Sequence, residues 1–183
     1  AQIRTWQEEH DYDYHVGRLT VPWALHQIAQ NTAGKAYAYA TDVGQHQMWA
    51  ALHLRVEEPR TWLTSGGLGT MGYGLPAAMG AQIAWGDSRR MIHIAGDGGI
   101  KMTGNEYYTI ARLGLPILSI LVNNRSLGMI RQLQKVLYDE RYIACELDHA
   151  MDYVKYAESF GIKAARVATQ EEFAAALSGA LED

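Results

Sequence analysis

Apolar and polar positions alternate in blocks along the chain, and each block has a readable period. Val21, Ala24, Leu25, Ile28 and Ala29 recur at helical spacing after Thr20, a capping residue, with Pro22 in the first turn. Ala36-Tyr37-Ala38-Tyr39-Ala40 alternates and predicts a strand. It runs into a polar loop, Thr41 to Gln47, then a short helical segment at about Met48 to Leu54. Thr61 to Thr64 predicts a second short strand, and Leu75 to Trp85 a helix. Met91 to Ala95 and Ile117 to Val122 are nearly continuous apolar runs, as strands buried on both faces should be. Between them, Thr103 to Leu113 predicts a helix stopped by Gly114 and Pro116. Residues 125–142 are amphipathic and partly helical in pattern. Met151 to Phe160 predicts a helix ending at Gly161, and Ile162 to Val167 a fifth strand. Thr169 caps a last helix with Glu171 and Glu172 in its first turn.

Strands alternating with helices across short loops predict an α/β domain, doubly wound, with a mainly parallel sheet and helices on both faces. Residues 1–19 carry Trp6, Tyr12 and Tyr14 without a clear period and read as a lead-in arm or linker. The domain is then expected over 20–183. A doubly wound sheet returns a strand after such a last helix, so the expectation is a domain truncated before its final strand.

Composition narrows the partners. The 183 residues are 48% apolar and 20% charged, with a formal net charge of -4 and no long basic run, so neither nucleic acid nor an anionic membrane is an expected partner. No apolar run is long enough to span a bilayer, and there is no signal-peptide pattern. The one cysteine, Cys145, allows no internal disulfide, which suits a reducing, cytoplasmic setting. Of 18 glycines, ten lie between Gly66 and Gly99, where the backbone must turn tightly or come close to a ligand.

The chemistry gathers at strand ends. Gly96-Asp97-Gly98-Gly99 follows one buried strand and Asn123-Asn124 the next, with one helix length between them. A parallel βαβ unit brings both ends to one edge of the sheet. Asp97, the Asn124 side-chain oxygen and a loop carbonyl near Ser126 are hard oxygen ligands. They suit Mg²⁺, with a diphosphate and water completing the shell. A competing reading has Asp97 capping the following helix and Asn124 making a turn. Gly44-Gln45-His46-Gln47 ends another strand, where Gln and His can donate to phosphate oxygens. Gly67-Leu68-Gly69-Thr70-Met71-Gly72 is a literal G-x-G-x-x-G between strand and helix. The nearest strand-end acid, Asp97, lies 25 positions beyond Gly72 and within Gly-Asp-Gly, so a nicotinamide or flavin fingerprint competes with plain tight-turn glycines. No zinc spacing, P-loop or G-x-S-x-G elbow occurs.

Together these blocks resemble the C-terminal, diphosphate-binding domain of thiamine-diphosphate enzymes, most closely the acetolactate (acetohydroxyacid) synthase catalytic-subunit family. Three stretches carry the resemblance: Asp42 to Trp49, Ser65 to Ala78, and Gly96-Asp97-Gly98 to Asn123-Asn124 with Ser126-Leu127-Gly128-Met129. The resemblance implies Mg²⁺ on Asp97, Asn124 and the Ser126 main-chain oxygen. It implies a diphosphate held by Val43, Gly44, Gln45, His46, Gly98 and Gly99. It also implies an aminopyrimidine contact from the Gly69 carbonyl, and Met71 as the wedge that bends the cofactor. Met129 would line the pocket for small 2-keto acids. The family activity is decarboxylation of pyruvate and ligation of the two-carbon unit to a second 2-keto acid, in branched-chain amino-acid or acetoin-type pathways.

The resemblance further implies what this stretch lacks. The family's catalytic glutamate lies on a pyrimidine-binding domain of the same or a partner subunit, so no catalytic residue is assigned here. FAD, where the full-length enzyme carries it, sits on another domain. The full-length protein is expected as a homodimer or tetramer, with a possible regulatory subunit. Leu133 stands where the family commonly has Trp, which bears on the preference for the second keto acid. Two other readings are a different thiamine-diphosphate decarboxylase or oxidase, and a cofactor-binding module without turnover.

Overall fold

In the computed structural model, residues 12–14, 17–147 and 151–183 are described. Most of the expected lead-in arm, Trp6 included, lies outside those residues. Tyr12 and Tyr14 lie within them, and the Tyr14 hydroxyl sits 2.7 Å from His53 Nδ1.

Tyr37–Thr41 (β1), Trp62–Thr64 (β2), Arg90–Gly96 (β3) and Leu118–Val122 (β4) form one parallel sheet in the order β2-β1-β3-β4. The chain leaves β1 toward β2, then crosses back to β3 on the other side. The order therefore reverses between β1 and β3, the switch point outside which open α/β sheets hold ligands. Thr41 pairs with Ile94, and Gly96 with Val122, so the residues that follow β1, β3 and β4 emerge at one edge.

Eight helices among the described residues cover this sheet. They are Val21–Thr32 (α1), Gln45–His53 (α2), Gly74–Trp85 (α3), Asp97–Thr103 (α4), Tyr107–Leu113 (α5), Gly128–Leu137 (α6), Tyr153–Glu158 (α7) and Gln170–Glu182 (α8). The period-two pattern of the strands divides the core. Tyr39, Ile92 and Ile94 pack with Leu25 and Ile28 of α1 and with Phe173 and Leu177 of α8. Ala38, Ala40 and Met91 face the other way, against Ala78 of α3. The alanines of β1 are small because α3 lies directly on them. Leu75, Met79, Ile100, Tyr107 and Ile110 fill the rest of that face. Burying one such large apolar side chain stabilises by about 1.5–3 kcal/mol.

The capping expectations hold. Thr20 accepts from Trp23 N, and Thr169 with Glu172 forms a reciprocal capping box. Gly114 ends α5 in the left-handed conformation. Three expectations change. The helix after β1 starts at Gln45 rather than Met48, because Gly44 is its N-cap and the polar Gln45-His46-Gln47 forms its first turn. The helix after β3 starts at Asp97 itself, six residues before the expected Thr103. A 3-10 turn at Gly104–Glu106 then divides it, where Gly104 lies under the Tyr156 ring.

The expected fifth strand, Ile162 to Val167, makes no ladder among the described residues. Its ends are committed elsewhere. Ile162 N donates to Ala157 O at the end of α7, and beyond Val167 the Ala168 and Thr169 N–H groups donate to Glu172.

Candidate cofactor-binding site

The site is built where β1, β3 and β4 end. After β3, Asp97 is the first residue of α4 and is almost wholly buried. Its Oδ1 accepts from Gly98 N at 3.0 Å, and its Oδ2 from Arg125 N at 2.6 Å. The second bond reaches across to the loop after β4. There the Asn123 and Asn124 side-chain oxygens accept from Arg125 N (3.2 Å) and Ser126 N (3.0 Å). Arg125 has φ of 57°, a left-handed conformation that costs a non-glycine residue about 1 kcal/mol or more. The Asp97 bond holds it there.

Asp97, Asn124 and Ser126 are thus on one knot of backbone. Burial raises the Asp97 pKa, and backbone N–H donors, Arg125 first, pull it back. The carboxylate faces no cationic side chain in its hydrogen bonds, so a divalent cation would compensate its burial. The donor set is one carboxylate, one amide oxygen and a main-chain oxygen, hard ligands that fit Mg²⁺. Among the described residues no cluster of three or more His, Cys, Asp or Glu competes for that role.

After β1, Gly44 caps α2 and His46 lies in its first turn. The His46 ring sits between two glycines. A Cβ on Gly44 would come within 2.8 Å of Cε1, and one on Gly96 within 3.1 Å. His46 is buried, and its Nε2 has no hydrogen-bond partner. Burial lowers its pKa, while the charge and main chain of Asp42 act the other way. A buried ring nitrogen left open beside a helix N-terminus fits an anionic group such as a diphosphate oxygen. Gln45 turns toward the third strand end. Its Nε2 donates to Gln132 Oε1 of α6 at 2.8 Å, and Gly128 leaves room for its Oε1.

Gly69 and Met71 lie on the loop between β2 and α3. Gly69 adopts φ of 66°, which only glycine takes up freely. Met71 reaches the start of α4: a Cβ on Gly98 would lie 3.2 Å from Met71 Cε and 2.6 Å from Leu127 Cδ2. An open groove of about 670 Å³ adjoins it, lined by Leu63, Thr70, Met71, Tyr73 and Pro76 among others. Met129 and Leu133 are on α6, a strongly amphipathic helix with no buried residue, and Leu133 is 46% exposed. The structure therefore gathers Gly44, His46, Gly96, Asp97, Gly98, Gly99, Asn124 and Ser126 at the three strand ends. Gln45 links them to α6, and Leu133 stands open at its surface.

Two further residues, with no role in the sequence reading, belong to the site's surroundings. Asp42, 1% exposed, accepts from Val43 N (2.7 Å), Gly72 N (3.1 Å) and Gly74 N (3.2 Å). A Cβ on Gly99 would meet its Oδ1 at 2.5 Å. The available signal was its place, a lone acid directly after an alternating strand. His93 in the middle of β3 is fully buried. Its Nδ1 lies 2.9 Å from Ser119 Oγ, which also meets the Tyr107 hydroxyl at 2.9 Å, and its Nε2 has no partner. Burial first, and then the neighbouring His46, lowers its pKa to about 3. An apolar-looking strand gave no hint of this network.

Comparison with known proteins fits this geometry. Residues 42–183 match the family described as thiamine pyrophosphate enzyme, C-terminal TPP binding domain. The acetolactate synthase large subunit of Parasynechococcus marenigrum is 50% identical over 143 residues, 78% of this chain and 23% of that protein. The mitochondrial acetolactate synthase catalytic subunit of Saccharomyces cerevisiae is 42% identical over 97% of this chain and 26% of its own. The Escherichia coli acetolactate synthase isozyme 3 large subunit is 38% identical over 99% of this chain and 32% of its own. The chain thus spans about a quarter to a third of these relatives. Among solved structures, the thiamine diphosphate-dependent 4-hydroxybenzoylformate decarboxylase of Rhodococcus jostii RHA1 superposes with a TM-score of 0.82 at 25% identity, over 91% of this chain and 31% of that one. On the match over residues 42–183, this chain belongs to the C-terminal, thiamine diphosphate-binding domain family of thiamine diphosphate enzymes.

Proposed function

We propose that this chain is the diphosphate- and metal-holding part of an acetolactate synthase-type carboligase. The whole enzyme would decarboxylate pyruvate and join the two-carbon unit to a second 2-keto acid. The observation that carries this reading is the pairing of two buried groups at the switch point. His46 offers an open buried nitrogen, and Asp97 a buried carboxylate whose hydrogen bonds come from backbone N–H groups and from no cationic side chain. When bound, thiamine diphosphate supplies the electron sink for decarboxylation and the nucleophilic carbon for ligation.

The residues of this chain supply placement. Asp97, the Asn124 side chain and the Ser126 main-chain oxygen hold Mg²⁺. Val43, Gly44, Gln45, His46, Gly98 and Gly99 hold the diphosphate, the glycines by letting backbone N–H groups approach. The Gly69 carbonyl would accept from the pyrimidine, and Met71 would be the apolar side chain that packs against the cofactor. Met129 and Leu133 face the substrate side, where an apolar wall excludes water and favours loss of charge. Residues 20–183 form this unit. The acid that starts proton transfer belongs to a pyrimidine-binding domain of the same or a partner subunit, in a dimer or tetramer. The relatives' names, which say "large subunit", support a smaller regulatory partner. Any flavin belongs to another domain. A reducing compartment such as the cytoplasm suits the free, buried Cys145.

A second reading, a decarboxylase releasing an aldehyde, draws on the Rhodococcus neighbour. The higher identity to acetolactate synthases favours the first, and product analysis separates acetolactate from aldehyde. The direct test is thiamine diphosphate titration with and without Mg²⁺ on wild type and Asp97→Ala. Wild-type binding should depend on Mg²⁺, and Asp97→Ala should weaken it roughly 100-fold. Binding indifferent to both changes would overturn the reading. The 183-residue chain alone should make no acetolactate.

A further inference from the structure

We propose that Asp42 is a positioning residue whose carboxylate fixes the pyrimidine-contacting loop against the diphosphate cradle. This rests on the reading of the site above and adds a residue which that reading leaves without a role.

The loop from Ser65 to Gly74 has little of its own to hold it. Five of its ten residues are glycines, and Leu68 is 94% exposed. Its position depends on backbone hydrogen bonds. Gly69 N and Thr70 N turn back to Ser65, and Gly72 O accepts from Thr103 Oγ1. At the start of the loop Gln47 of α2 reaches Thr64 Oγ1 (2.8 Å) and Ser65 O (3.5 Å), and at its far end, from Gly72 to Gly74, the tie to the cradle side is Asp42. Oδ1 accepts from Val43 N, at the start of the cradle, and from Gly72 N, in the loop. Oδ2 accepts from Gly74 N, the first residue of α3. One buried side chain thereby sets the distance between the segment that meets the diphosphate and the segment that meets the pyrimidine.

The site calls for a carboxylate. Three N–H donors converge on it, and only an acceptor on both oxygens satisfies them without setting donor against donor. Its negative charge also lies at the N-terminus of α3, where the helix dipole favours it. Gly99 lies against the carboxylate on the third side, where a Cβ would meet Oδ1 at 2.5 Å. In Asp42→Asn, an amide oxygen at the Oδ1 place keeps Val43 and Gly72 but turns the amide nitrogen toward Gly74 N–H. The opposite flip sets it against Val43 and Gly72. The first arrangement keeps two of the three bonds, Val43 N included, and is the one favoured, so the loop is released at Gly74 while the helix α2 cradle keeps its own glycines and His46.

The test compares two probes on the purified protein in its natural full length, with Mg²⁺ present: thiamine diphosphate and inorganic pyrophosphate. Pyrophosphate reads the cradle alone, and thiamine diphosphate reads cradle and loop together. In Asp42→Asn, thiamine diphosphate affinity should fall about tenfold, the loss of one charge-assisted hydrogen bond, with pyrophosphate affinity within about twofold of wild type. Asp42→Ser, too short to reach Gly72 and Gly74 together, should show the same split, and it decides the matter if the Asn variant does not fold. Equal losses for both probes, no loss for either, or failure of both variants to fold would overturn the assignment. If wild type binds neither probe, the proposed function falls first, so the two failures are distinguishable.

Discussion

Two parts of this molecule meet the same site in opposite ways. The knot around Asp42, Gly74, His93 and Gly99 is buried and tightly packed. A single added Cβ at Gly74 would fall 2.6 Å from Asp42 N and 2.9 Å from His93 Nε2. Helix α6 and the segment that returns from it are the reverse. Ile130, Leu133, Val136, Leu137 and Ile143 are all more than a third exposed. What fastens α6 is polar: Gln132 to Gln45, Gln134 to both backbone groups of Ile143, and Arg131 over the Tyr142 ring. The half that would anchor a cofactor is part of the core. The half that would meet substrate is laid on the surface by polar ties, with its apolar residues still uncovered.

The contrast can be broken most forcefully at Gly99. Gly99→Ala should cost about 3 kcal/mol, since the new methyl overlaps the Asp42 carboxylate and neither backbone can yield. Gly80→Ala, in mid-α3 with nothing within 4 Å, should instead gain about 0.5–1 kcal/mol. Equal melting temperatures for the two variants would show that the knot is not tight.

Acid probes the same region more gently. His93 is neutral in the fold, with a pKa near 3, and ordinary in the unfolded chain. Protons then bind the unfolded state preferentially as pH falls below about 6.5 toward 3. His93 therefore contributes no loss above that window and about 2 kcal/mol of lost stability by pH 5. His93→Gln, which can keep the Ser119 bond, should flatten the fall in melting temperature between pH 7 and 5. Parallel curves for the two proteins would remove His93 as the cause.

The smallest effect on stability should come from α6. Leu133→Trp lies on an exposed position and should move the unfolding free energy by no more than about 0.5 kcal/mol. In the full-length carboligase proposed above it should nevertheless shift the ratio of products formed from different second 2-keto acids. An unchanged ratio would place Leu133 outside the substrate pocket.

Legibility in the sequence follows the same division. The strands and the caps at Thr20 and Thr169 were readable because burial periodicity and capping chemistry are local. Asp97 and the two asparagines were readable because strand ends in parallel sheets converge. The start of α2 was not, since Gln45-His46-Gln47 carries no apolar stripe to mark a helix. The start of α4 was hidden because Gly98 and Gly99 weaken helix propensity and tertiary packing overrides it. Ile162 to Val167 has a strand's composition, but pairing depends on where its flanking N–H groups are committed, which is not local. Asp42 and His93 escaped for the same reason: their meaning lies in partners 30 and 26 residues away.

The close approach of Gly99 to Asp42 also sets an order in which these two positions of this chain can change. A side chain at position 99 is tolerable only after position 42 has lost its carboxylate, because the reverse order passes through an overlapped intermediate. Position 42 can shrink first at the expense of one tie to the loop, and position 99 is then released from its constraint. The two positions form a ratchet: substitutions enter through Asp42, and a later side chain at 99 closes the way back.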